Sequence, residues 1–461
     1  MTDLVERGSS QGKWIMTAAV LGSGIALLDG TVVNIALRSI GADLGASLSD
    51  LQWVVNAYML SLASLILLGG SLGDRFGRRR VFIIGVAGFA LASMVCALAQ
   101  SPLQLIVARL VQGVAAALLT PGSLALIQAS FVRADRPAAI GQWAGLGGIA
   151  AAIGPLLGGW IIDNASWRWI FWINVPAAIA VLVIAVRHVP ESRDLEDAGG
   201  SDALGAVLGV VGLAGVTFAF IEAGVADTLR VATAGAVGTA ALVLFLVVER
   251  RTPHPMVPLS LFASRVFSIA NAMTFLVYGA LGAVLFFLVL QLQVVSGFSP
   301  LLAGLATLPI TILMLLLSSR SSALAARIGP RWQMSVGPLL CAAGVLVMSF
   351  IDAETRYFTG VLPGMTLFAL GLTALVAPLT SSVLAAAPDR YAGTASGVNN
   401  AVARTGSLLA VAALPALVGL GGGEYQDPAV LGAGFRMALW IASGLLVAGG
   451  AICFVGLPRR V

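Results

Sequence analysis

Long apolar runs separated by short polar turns make up almost the whole chain. Runs of the roughly 17–25 residues needed to cross a bilayer recur fourteen times, at about 14–36, 51–72, 81–99, 103–129, 138–162, 168–187, 202–222, 231–248, 266–290, 300–319, 333–351, 357–380, 393–419 and 435–457. Backbone crossing lipid must satisfy its own hydrogen bonds, so each run predicts a helix. The first run starts after a short polar stretch, is longer than the apolar core of a leader peptide and lacks an Ala-x-Ala site. It is expected to be retained as a span. The pattern predicts an all-α polytopic membrane protein.

Direction follows from the basic residues. With the N-terminus in the cytoplasm, most Lys and Arg fall inside, including Arg75, Arg78, Arg79, Arg80, Arg133, Arg136, Arg250 and Arg251. The outside receives Arg38, Arg168, Arg230, Arg356 and Arg436. Both termini are then cytoplasmic. Leu324-Ala-Ala-Arg327-Ile-Gly329-Pro-Arg331 repeats Leu72-Gly-Asp-Arg75-Phe-Gly77-Arg-Arg79 in a weaker form, with Ala326 in place of Asp74. The second copy lies two spans later than a simple doubling of six helices would put it. The expected arrangement is therefore 6 + 2 + 6: an N-terminal six-helix bundle at 1–190, two inserted helices with polar linkers at 191–265, and a C-terminal bundle at 266–461.

Composition narrows the classes further. Hydrophobic residues make up 59% and charged residues 10% of the 461, against about 25% charged in soluble domains. Mean hydropathy is +0.98. The 54 glycines suit close helix–helix contacts in lipid. The net charge of +5 is scattered through turns, which disfavours nucleic acid as a partner. Cys96, Cys341 and Cys453 are widely spaced inside apolar runs and read as packing residues. His188 and His254 fall in expected loops, so no cluster suggests a metal, haem or other cofactor. No phosphate-binding G-x-x-x-x-G-K-[ST] loop occurs. An intramembrane enzyme would need grouped ligands or a nucleophile–base pair, and none is visible.

Four stretches carry candidate chemistry. Gly70-Ser-Leu-Gly-Asp74-Arg75-Phe-Gly77-Arg78-Arg79 is a basic, glycine-rich turn. Asp29 lies mid-span in Leu27-Leu-Asp-Gly-Thr-Val-Val-Asn-Ile-Ala-Leu37, where a carboxylate needs a partner or water. Arg109 opens Arg-Leu-Val-Gln112-Gly113 in the fourth run, and its guanidinium keeps its charge at any working pH. Gly154-Pro155-Leu-Leu-Gly158-Gly159 combines a helix-bending proline with small packing residues. Beside these, Trp167-Arg-Trp-Ile-Phe-Trp172-Ile-Asn-Val-Pro176 suggests an interfacial tryptophan anchor.

These segments resemble motifs A, B and C of the major facilitator superfamily, and the helix 1 signature of its fourteen-helix drug:proton antiporters. The resemblance spans essentially the whole chain, with Arg38 where that branch usually has proline and Ala150 in place of one glycine. It implies alternating access, Asp29 as proton carrier, Arg109 as a counter-charge in the coupling, motif A (Gly70, Asp74, Arg75, Gly77, Arg78, Arg79) as a conformational latch, and motif C (Gly154, Pro155, Gly158, Gly159) as an antiporter feature. It also implies export of lipophilic drugs or antibiotics from a bacterial cytoplasmic membrane. An endogenous lipid or metabolite is the alternative cargo. Glu222, near a span end, reads as solvated. Polar and aromatic groups expected at membrane depth, as a substrate surface, are Trp53, Asn56, Gln112, Gln142, Asn271, Phe275, Gln291, Asn400 and Arg404. With Asp29 the single mid-depth carboxylate, the expected cargo is monocationic or neutral, the other partners are protons and lipids, and the protein is monomeric.

Overall fold

A computed structural model describes residues 4–193, 202–253, 255–388 and 391–458. His254 and most of the linker at 194–201 lie outside the described residues. Apart from an isolated pairing of Val5 with Phe131, the described residues form helices and turns. Fourteen helices are long and apolar enough to cross a membrane: α1 (Ser10–Leu44), α2 (Leu48–Phe76), α3 (Arg78–Ala97), α4 (Pro102–Ser130), α5 (Arg136–Asn164), α6 (Trp169–His188), α7 (Ala203–Ile221), α8 (Thr228–Arg251), α9 (Arg265–Val295), α10 (Pro300–Ile328), α11 (Pro330–Met348), α12 (Tyr357–Ala385), α13 (Gly393–Leu417) and α14 (Pro428–Gly456). The chain is a multi-pass membrane protein.

Two compact units emerge. One comprises Met1–Gly45, Trp53–Leu213 and Ala240–Met256; the other comprises Ala46–Gln52, Ala214–Thr239 and Val257–Val461. In the first unit α1 packs against α4, α5 and α6, and α3 against α4 and α6. In the second, α9 packs against α13 and α14, and α11 against α12 and α14. On α3, Ile84, Leu91 and Val95, with Leu98 just past its end, are all more than half exposed, an apolar face that only lipid would solvate well.

The helices outlast the apolar runs at several ends. α1 extends from Ser10 to Leu44, past both limits of its run, because helix continues into the aqueous interface where Arg38 and Asp43 are solvated. Ser9 caps its start by accepting from the Gly12 N–H at 3.0 Å. Gly45, at φ 62, ends it in the left-handed conformation that glycine adopts cheaply. The internal repeat is legible in the backbone. Gly77 (φ 110) joins α2 to α3 and Gly329 (φ 87) joins α10 to α11, each immediately preceding the next helix.

Candidate functional site

Asp29 and Arg109 meet. Asp29 is 0% exposed in the middle of α1, Arg109 is 1% exposed on α4, and the guanidinium Nη1 donates directly to carboxylate Oδ2. Two amides complete the carboxylate shell. Gln112, one turn beyond Arg109, donates from Nε2 to Asp29 Oδ1 at 3.0 Å. Asn174 donates from Nδ2 to the same oxygen, also at 3.0 Å. The Ser93 hydroxyl on α3 accepts from Gln112 at 2.8 Å and from Asn174 at 3.3 Å. Four helices thus converge on one carboxylate.

Local sequence explains why these groups reach each other. Pro176 has no N–H, so α6 loses a backbone bond in its first turns, and the regular helix breaks at Ile173. Asn174 sits at that break and turns inward. Arg109 is held by more than its anion. Its Nε donates to the Val54 carbonyl at 3.2 Å, and Nη1 also donates to Gln112 Oε1 at 2.6 Å. The Tyr58 ring lies 4.3 Å from the guanidinium carbon and the Phe171 ring 5.8 Å away, a cation–π enclosure. Tyr58 is itself fixed by donating to the Ala26 carbonyl at 3.2 Å. Cys96 closes the network with its thiol 3.6 Å from Gln112 Oε1.

The glycine–proline segment backs the same helix. A Cβ built on Gly154 would fall 2.2 Å from Thr31 Oγ1, and one on Gly158 would fall 2.1 Å from Val32 Cγ2, so α5 touches α1 where only glycine fits. Pro155 cannot bond the Ala151 carbonyl four residues back. The Thr31 hydroxyl lies 3.3 Å from that carbonyl as well as 2.9 Å from its own helix's Leu28 carbonyl. Gly159 is buried in the same helix.

At the α2–α3 turn, Asp74 accepts from Arg78 Nε at 2.8 Å. The start of α3 is met instead by Glu191, just beyond α6: its Oε1 accepts from the Arg79 N–H at 3.1 Å. Arg79 Nη1 donates to the Val189 carbonyl at 3.1 Å, and the Arg78 N–H donates to the Ser192 carbonyl at 3.0 Å. Gly77 leaves room for this carboxylate, since a Cβ there would lie 2.7 Å from Glu191 Oε1. Arg75 lies over the Phe76 ring at 5.3 Å. The close helix approach falls at Gly69, not Gly70. A Cβ on Gly69 would sit 2.0 Å from the Ala117 carbonyl oxygen, whereas one on Gly70 makes ordinary contact with Pro121 at 3.8 Å.

The residues expected to form the substrate surface lie in different local surroundings. Gln112 belongs to the buried network, where its amide is occupied. Gln142 lies under two turns into α5 and accepts from Arg7 Nη1 at 3.4 Å, at a span end and not at mid-depth. Gln291 also sits at a span end, donating to the Ile351 carbonyl at 2.9 Å. Asn271 is buried and accepts from Asn399 at 3.1 Å. Trp53 and Asn56 lie in the first turns of α2; Trp53 is half-buried and Asn56 fully buried. Phe275, Asn400 and Arg404 keep accessible surface. Asp29, buried and paired, offers no charge to a cationic cargo in this conformation. The tryptophan anchor is also reduced. Trp167 is 3% exposed and donates to Asp43 at 3.0 Å, while Arg168 bonds the same carboxylate at 2.5 Å, leaving Trp169 as the outward ring.

Sequence reasoning missed Ser93, Asn174, Glu191 and Asp43. Asn174 was visible as an amide inside an apolar run. Among the described residues no group of His, Cys, Asp and Glu could hold a metal.

Known proteins share this architecture. The family model described as Major Facilitator Superfamily matches residues 19–411. A puromycin resistance protein of Streptomyces alboniger is 37% identical over 428 residues, covering 89% of this chain and 83% of that protein. A methylenomycin A resistance protein of Bacillus subtilis is 34% identical over 450 residues, covering 96% and 94%. Among solved structures, a bacterial homologue of the human lysosomal transporter Spinster superposes with a TM-score of 0.70 at 18% identity, covering 97% of this chain and 98% of that one. A POT family transporter gives 0.73 at 13% identity, covering 96% and 97%. At those identities the two likenesses speak for the fold alone. The chain belongs to the Major Facilitator Superfamily and is a membrane transporter.

Proposed function

We propose that this transporter exports small lipophilic, antibiotic-like molecules across the cytoplasmic membrane in exchange for entering protons, with Asp29 as the proton carrier and Arg109 as its counter-charge. The resistance relatives support drug export, and the positive-inside pattern supports cytoplasmic termini. The observation that carries proton coupling is the Asp29–Arg109 ion pair, which ties α1 to α4 with both side chains essentially inaccessible.

Such a pair suits a coupling device. Asp29 accepts from three donors, Arg109, Gln112 and Asn174. A proton on it cancels the attraction to Arg109 while the guanidinium keeps its charge. Leaving one partner of a buried pair uncompensated costs about 3–5 kcal/mol, so the protonated and ionised forms favour different placements of α1 against α4. Asp74, Arg78 and Glu191 at the α2–α3 turn act in this reading as the latch that sets the balance between the two access states.

Purified protein in proteoliposomes with a lumenal pH dye, challenged with puromycin, tests the carrier. Wild type should move protons on drug addition, and the Asp29→Asn variant should not. Equal proton movement in both overturns the assignment.

A further inference from the structure

We infer that Arg404 on α13 recognises an acidic group of the cargo, a carboxylate or phenolate carried on an aromatic or otherwise apolar body. The inference rests on the export reading and adds the charge class of what is exported.

Arg404 stands midway along the 25-residue span Gly393–Leu417. That is about 15 Å from either headgroup layer of a hydrocarbon core near 30 Å thick, too far for its side chain to reach water at a membrane surface. Yet Arg404 is only partly buried. A guanidinium at this depth is expensive in lipid and marks a polar path. The rest of its helix face agrees. Ser396, Asn400 and Arg404 follow at intervals of four, on one side of the helix, and all three retain accessible surface.

The direction of that face is fixed from behind. Asn399 donates to Asn271 at 3.1 Å and to Thr274 at 2.9 Å. A Cβ on Gly406 would lie 2.4 Å from the Phe275 carbonyl oxygen. These contacts lock α13 against α9, and Asn400 orients the guanidinium by accepting from its Nε at 3.2 Å. Tyr278 on α9 lies within electrostatic range of Arg404, and Phe275, one turn away, is 37% exposed. An oriented, accessible guanidinium matches a planar acid, whose two oxygens its fork of N–H groups can meet. The electrostatics of this region run the same way: from residue 265 to 456, Asp and Glu occur only in the connecting loops.

Initial uptake into inverted vesicles, at sub-saturating concentration, tests this with nalidixic acid and fusidic acid as carboxylates, chloramphenicol as a neutral compound and ethidium as a cation. Wild type should take up the acids, Arg404→Gln should lower their uptake about tenfold or more, and Arg404→Lys should restore part of it. Chloramphenicol uptake should change less than about threefold in either variant, which also reports folding. Unchanged acid uptake in Arg404→Gln, an equal loss for all compounds, no recovery in Arg404→Lys, or a wild type that takes up ethidium alone overturns the inference. Uptake of none of the four overturns the export reading and this inference with it.

Discussion

Asp29→Asn removes the anion that the buried Arg109 faces, and the structure sets what that should cost. The guanidinium would retain the Val54 carbonyl at 3.2 Å, Gln112 Oε1 at 2.6 Å and the Tyr58 ring at 4.3 Å. Dipoles and a ring offset only part of an unneutralised buried charge, so the loss should fall near 3–5 kcal/mol, the range for breaking a buried pair. Arg109→Gln strands the carboxylate instead, although Gln112 and Asn174 still donate to it, and a similar cost is expected. The double variant Asp29→Asn/Arg109→Gln buries no charge and should regain most of the loss, so single costs of about 3–5 kcal/mol each imply a coupling energy of about 5 kcal/mol or more. Thermal unfolding of the four detergent-purified proteins, followed by tryptophan fluorescence, measures the cycle. Both singles should melt several degrees below wild type and the double variant should melt near it. In proteoliposomes the double variant should still move no protons, which separates stability from coupling. A double variant as unstable as the two singles summed would refute the claim that the site holds a mutually compensated pair.

Gly77→Ala should destabilise by about 1–3 kcal/mol, because φ is 110 there and the new Cβ would sit 2.7 Å from Glu191 Oε1; an unchanged melting temperature would show that the turn relaxes freely. Glu191→Gln should weaken the seat of the 189–192 segment on the start of α3 and speed tryptic cleavage at Arg78–Arg80, with unchanged cleavage excluding that role. Thr31→Val deletes the hydroxyl that reaches the Ala151 carbonyl and should cost about 1 kcal/mol, while Thr31→Ser should cost less; equal melting of the two variants would mean that the hydroxyl is not used.

What could be read from the sequence was whatever had a one-dimensional signature. Fourteen spans follow from apolar run length, and the paired turns at Gly77 and Gly329 follow from two similar strings. Asp29 and Arg109 could be singled out because a charge inside an apolar run has few bland explanations. Their mutual contact could not, since 80 residues separate them and only packing brings α1 to α4. Ser93 and Asn174 are ordinary polar residues until a carboxylate stands beside them. Span register was harder still. Gln142 lies within an apolar run and Gln291 directly after one, yet the helices carrying them begin or end nearby, so both fall at span ends. Glu191 was hidden for a different reason: a carboxylate in a polar linker looks solvated until its loop folds back onto the start of α3.

The two motifs on α1 act on opposite sides of that helix. Asp29 and Thr31 are two residues apart, about 200° around an α-helix at 3.6 residues per turn. One side is therefore held by charge and the other by shape. The charged side depends on a proton; the side against Gly154 does not, because van der Waals contact with glycine has no titratable part. If protonation of Asp29 loosens α1 from α4, nothing in that event loosens α1 from α5. The two helices should then move together as a pair, with Thr31 and Ala151 keeping their register. This gives the glycines a second consequence in the proposed cycle. A bulky residue at Gly154, seated against Thr31, would push α1 toward Arg109 from behind and disturb proton coupling without touching any charged group.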